Sequence, residues 1–134
     1  MTELAEVSVH YLAGPALDWA ALLACGWVQR RPVDERQLDH PDGRTIGIVG
    51  TFAEVAEIGL LQHWISPSTR WQDGGPLIDK NRPSFQPNGF NGTTWCQIPG
   101  ADLKYRGETY LIAACRAIVA AKLGDTVQVP KELI

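Results

Sequence analysis

Apolar positions are densest between Tyr110 and Leu123, where Leu111, Ile112, Cys115, Ile118, Val119 and Leu123 cover most of a helical circumference and only Arg116 and Lys122 are charged. Five alanines in the same stretch permit close approach of neighbours. Gly107-Glu108-Thr109 supplies a start signal and Gly124 a stop. This pattern predicts a helix over 110–123 that is buried on nearly every side and forms the spine of the core. Residues 16–25 are also apolar apart from Asp18, with Pro15 suited to a first helical turn and Gly26 to a left-handed C-cap. A second, largely buried helix follows, with Asp18 expected to face outward near the positive end of its dipole.

Between these helices the pattern is less regular. Residues 7–10 alternate as a short strand. Residues 26–31 predict a strand stopped by Pro32, residues 33–44 a polar loop ending in an Asp42-Gly43 turn, and residues 45–49 a second strand, together a hairpin with a long tip. Thr51 and Glu54 have capping-box spacing, with Phe52, Val55, Ala56 and Leu60 on one helical face, although Gly59 and the run 58–61 also fit a buried strand. Ser66, Ser68 and Thr69 offer N-cap hydroxyls to a helix that Gly74-Gly75-Pro76 should divide in two, with Trp71 and Ile78 on a shared face. Pro83, Pro87, Asn88-Gly89 and Asn91-Gly92 mark residues 82–92 as turns, residues 93–98 read as a strand carrying Trp95 and ended by Pro99-Gly100, and a loop through Lys104 and Arg106 leads to the last helix. No repeat or long linker interrupts the chain, so a single α+β domain over 1–134 is expected, with a small, mainly antiparallel sheet packed against helices.

Composition narrows the functional classes. With 134 residues, 45% apolar and 20% charged, the chain has the make-up of a globular domain and not of a disordered one. The net charge of −3 and the scatter of Arg30-Arg31, Lys80, Arg82, Lys104 and Arg106 make nonspecific nucleic-acid binding an unfavoured reading. Residues 1–6 carry two acids and no basic, apolar leader, and no stretch has the length of a membrane span, so the cytosol is the expected compartment. Cys25, Cys96 and Cys115 are an odd, widely spaced set that reads as buried free thiols, and the Asn91-Gly92-Thr93 sequon carries no meaning in that compartment.

The candidate chemistry is sparse. A cysteine and histidine pair can make a nucleophile, but no cysteine here has an activating neighbour in the sequence, and His10, His40 and His63 have no ligand-like spacing. Asp34, Glu35, Asp39 and Asp42 belong to a charged loop of the kind that is usually solvated. Gly74-Gly75-Pro76 lacks the lysine and hydroxyl of a phosphate loop, and Pro76 removes an amide. No catalytic set, metal site or cofactor is expected. Five tryptophans are more than usual, and core filling is their common role. Trp64 and Trp71, however, flank a loop-rich segment beside Arg70 and Asp73, where aromatic area serves recognition well.

Two segments carry a specific resemblance. SPSTRWQDGGPLIDK at 66–80 and LIAACRAIVAAKLGD at 111–125, with VQVPKEL at 127–133 and GPALDWA at 14–20, resemble the NinX-like family of phage proteins of unknown function. The chain departs from that pattern at Arg70, where the family usually has Asp, and in a longer insertion over 33–64. The layout is also similar to small phage proteins with an α-β-α sandwich. The resemblance implies a phage or prophage accessory protein and no particular chemistry. Together these readings point to a nonenzymatic binding module whose surface is Ser68, Thr69, Arg70, Trp71, Asp73, Gly74, Gly75 and Asp79. A host or phage protein is the expected partner, a homo-oligomer is a further reading, and no membrane contact is expected. The rival is a small metal-dependent hydrolase or nucleic-acid-processing enzyme using Asp73, Asp79 and loop carboxylates.

Overall fold

The 14-residue helix α4 (Tyr110–Leu123) occupies the predicted span, and its Leu111, Ala113, Ala114, Cys115, Ala117, Ile118 and Val119 are buried in a computed structural model that describes residues 3–87 and 92–134. Thr109 caps its start by accepting the Ile112 N–H at 3.1 Å, and Gly124 ends it at φ 101°. Helix α1 (Gly14–Ala24) packs along α4, with Pro15 in its first turn and Gly26 at φ 95° just past its end. Leu12, Leu17, Leu22, Ile118, Val119 and Val129 are among the fully buried side chains of this central core.

Among the described residues the strands are split among three small antiparallel sheets instead of one, within an α+β fold. β1 (Leu4–Ser8) pairs with β7 (Thr126–Pro130), matching Val7 to Val127 and Leu4 to Pro130. Residues 9 and 10, read as strand from their alternation, instead belong to a 3-10 turn over Val9–Tyr11, which buries Val9. β2 (Gln37–Asp39) pairs with β3 (Ile46–Ile48). β4 (Ser84–Pro87), β5 (Thr94–Gln97) and β6 (Tyr105–Gly107) form the third sheet in that order, with β5 and β6 against α4. A Cβ on Gly107 would lie 2.8 Å from Ala113 Cα, so only glycine lets β6 turn so tightly into α4.

Several expectations fail for identifiable reasons. The hairpin forms between β2 and β3, not between 26–31 and 45–49; the earlier segment contributes only a bridge from Val28 to Asp39. β2 lies inside the stretch read as polar loop because its buried polar groups satisfy one another. Gln37 accepts the Val33 N–H at 2.6 Å and donates to Asp39 at 2.9 Å, and Asp39 accepts the Arg30 N–H at 3.2 Å. The Asp42-Gly43 turn is present, with Gly43 at φ 77°. α2 (Phe52–Glu57) is the helix of the two alternatives, started by Thr51 accepting the Glu54 N–H at 3.2 Å; Val55 is buried, while Phe52 and Ala56 are exposed. β4 and β6 replace parts of two predicted loops, and Asn88-Gly89 and Asn91 lie outside the described residues.

The helix expected to break does not. α3 (Trp71–Asn81) runs through Gly74, Gly75 and Pro76, burying Gly74 and Leu77. Proline removes one hydrogen bond from a helix but its φ is helical, and here the helix continues across the gap while packed on α4. Arg82 closes the helix at φ 50°, donating its N–H to the Ile78 carbonyl at 2.8 Å.

Candidate functional site

The Ser66 to Arg70 turn enters α3 without using its hydroxyls as caps. The N-cap position is Arg70, which makes no side-chain cap bond. Ser66 and Ser68 are instead turned inward to α1, where Asp18 is 1% exposed. One Asp18 oxygen accepts the Ser66 hydroxyl at 2.8 Å and the other accepts the Ser68 N–H at 2.8 Å. The outward-facing Asp18 of the sequence reading is therefore replaced by a buried tie between α1 and the turn. Burial pushes its carboxyl up to about 6, against the hydrogen bonds from Ser68 and Ser66.

A second carboxylate grips the turn from the other side. Asp73 accepts the Ser66 N–H at 2.9 Å and lies 3.4 Å from the Arg70 guanidinium. Arg70 donates to the Trp64 carbonyl at 2.8 Å and stacks over the Trp64 indole, 4.8 Å from its centroid. Trp64 in turn donates its indole N–H to the Gly50 carbonyl at 2.9 Å, tying the turn to the segment after β3. Two aspartates, an arginine and an indole thus fix the backbone from residue 64 to residue 73.

Past this lock the side chains open outward. Trp71 is 60% exposed and Tyr110, the first residue of α4, 43%. With Thr69, Thr109, Leu111 and Ile112 they line a mainly apolar groove of about 480 Å³, and Ser68 forms part of its wall. Volume and lining are in the range of ligand pockets. The groove exists because α3 and α4 approach closely at their starts: a Cβ on Gly74 would run into the Pro67 carbonyl and sit 2.6 Å from Leu111 Cδ2.

Of the eight predicted residues, Thr69 and Trp71 face the groove and Ser68 lies in its wall. Arg70 and Asp73 belong to the lock, Gly74 is the helix contact, and Gly75 has open space beside it. Asp79 stands apart, exposed and 3.9 Å from Arg82. Sequence reading missed the groove role of Thr109, read only as a start signal, and of Tyr110 and Leu111, from a helix read as buried on nearly every side. It also missed Asp18, whose partners lie 48 and 50 residues away.

The remaining chemical candidates hold structural positions. Cys96 and Cys115 are buried and Cys25 is half-buried, all free; burial pushes the Cys96 thiol up to about 12 and the other two upward as well. A thiol so raised is a poor nucleophile. Asp34 is held below the usual carboxylate range by Arg36, which also bonds Glu54 at 2.9 Å. Asp42 accepts the Arg44 and Thr45 N–H groups in its own turn. No three His, Cys, Asp or Glu side chains among the described residues converge as metal ligands, and no helix there is long and apolar enough to cross a membrane.

Comparison with known proteins adds one match: the model of the family described as bacteriophage P22 NinX covers residues 7–122. No curated protein matches the chain.

Proposed function

The chain belongs to the bacteriophage P22 NinX family, and from that premise we propose that it is a nonenzymatic phage or prophage accessory protein of the bacterial cytosol that binds a host or phage protein through the Trp71–Tyr110 groove. The observation that carries this reading is the exposure of two large aromatic side chains at the mouth of an apolar groove whose backbone is locked by Asp18, Asp73 and Arg70. Rigid aromatic anchors in a pre-organised frame are the arrangement in which a few residues supply most binding energy. The hydrolase reading is weakened by the same geometry, since Asp73 is spent on the Ser66 amide and Arg70 while Asp79 lies apart beside Arg82.

The test is quantitative crosslinking in phage-infected or lysogenic cells with the wild type and Trp71→Ala. A phage or host protein crosslinked by the wild type and lost from an equally stable Trp71→Ala variant supports the groove. Equal crosslinking by both, or metal-dependent phosphoester turnover abolished by Asp73→Asn, overturns it.

A further inference from the structure

The β4–β5–β6 sheet turns Cys96 and Tyr105 inward, both buried, and presents the alternate residues outward. Strand register sets Gln86 opposite Trp95 and Trp95 opposite Arg106, so the three stand in one row across the outer face. The Arg106 guanidinium lies over the Trp95 indole, 5.5 Å from its centroid. Lys104, just before β6, reaches the same row by donating its ammonium to Gln86 Oε1 at 2.6 Å. Arg82, largely exposed, leads directly into β4.

Charge is unevenly divided along the chain. From residue 79 to residue 116 the bases Lys80, Arg82, Lys104, Arg106 and Arg116 stand against the acids Asp79, Asp102 and Glu108, a net charge of +2 in a protein whose total is −3. Neither Lys104 nor Arg106 forms an ion pair among the described residues, whereas Arg36, Arg70 and Lys131 elsewhere each meet a carboxylate. Folding thus places Lys104 and Arg106, two of the basic residues scattered in the sequence, on one sheet face beside an indole.

We propose that this face binds single-stranded nucleic acid, one base stacking on the Trp95–Arg106 pair and the flanking phosphates lying on Lys104 and Arg82. Single strands are favoured because an open base uses both the π-face and the cations, whereas a duplex offers its phosphates alone. An acidic protein surface would use the cations and leave Trp95 without a role.

The proposal is tested by fluorescence anisotropy of a labelled oligonucleotide of roughly 12 nucleotides, titrated with the full chain across a salt series. The wild type is expected to bind the single strand at least about tenfold more tightly than a duplex of the same sequence, with affinity falling as salt rises. Removing the two phosphate contacts in the Arg82→Gln/Lys104→Gln variant should reduce affinity and make the slope of log K against log salt shallower by about 1.4. Trp95→Leu should weaken binding and leave the slope unchanged, and its thermal melt distinguishes loss of stacking from loss of fold. No binding at about 50 mM salt, equal binding of duplex, or wild-type behaviour of the double glutamine variant overturns the proposal. Displacement of the oligonucleotide by polyglutamate of equal charge overturns it in favour of an acidic protein partner. Trp71→Ala should bind the oligonucleotide as the wild type does, so this face and the groove stand or fall separately.

Discussion

Asp18 and Ser68 stand fifty residues apart in the chain, and a carboxylate oxygen of the first accepts the backbone N–H of the second at 2.8 Å. That bond joins α1 to the turn before α3 inside the core, and it makes the stability of the groove's frame depend on one buried acid.

The first expectation concerns pH. The folded protein holds the Asp18 proton more tightly than the unfolded chain, since burial raises its pKa from 3.8 to about 6. Its contribution to stability is therefore fully present below about pH 4 and is lost as pH rises through 6, a change on the order of 3 kcal/mol for this group. Asp18→Asn removes the titration. Urea denaturation of both proteins from about pH 4 to pH 7 should show a wild-type decline that the variant lacks; parallel curves would refute the assignment.

Loss of the acceptor should be felt separately. Asp18→Ala leaves the buried Ser68 N–H without its acceptor and strips Ser66 of one partner, which should cost about 1–3 kcal/mol, read as a lower denaturation midpoint at unchanged m-value. Asn at this position keeps an acceptor for the amide and should cost less.

The two adjacent glycines of α3 should respond in opposite directions. Gly74→Ala forces a methyl group against the Pro67 carbonyl and Leu111, and should destabilise by about 1–3 kcal/mol. Gly75→Ala meets nothing within 4 Å and should stabilise by about 0.5–1 kcal/mol, because alanine gives up less backbone entropy in a helix. Thermal melts of the two single variants decide it, and the same sign in both would contradict the packing described.

On α4, Ile118→Asp places a carboxylate in the core and should exceed about 4 kcal/mol, enough to prevent folding. Lys122→Asp, on an exposed position of the last turn, should cost about 0.3–1 kcal/mol through the helix dipole. A soluble Ile118→Asp protein with a cooperative melt would contradict the central place of this helix.

The parts of the fold written in local chemistry were legible. α4 shows its cap, its stop and its apolar circumference in consecutive residues, and Thr51 with Glu54 marks α2 in the same way. What escaped was set by distant partners. β2 looked like loop because Gln37 and Asp39 are polar, and it is strand because each satisfies the other inside the fold. Ser66 and Ser68 looked like helix caps because no local pattern discloses a carboxylate on α1. The groove was half visible: Thr69 and Trp71 stand beside an obvious punctuation of glycines, whereas Tyr110 and Leu111 enter it only through the close approach that Gly74 allows.

The antiparallel match of Val7 with Val127 carries a consequence for synthesis. β1 is synthesised well before β7 and has no partner until β7 follows, so its edge stays open while the intervening chain is made. Contacts of such long separation form late and slow the final step of folding. The nascent chain must carry an unpaired strand from the making of β1 to that of β7, and the closing of β1 on β7 serves as the seal that ends this exposure to neighbouring chains.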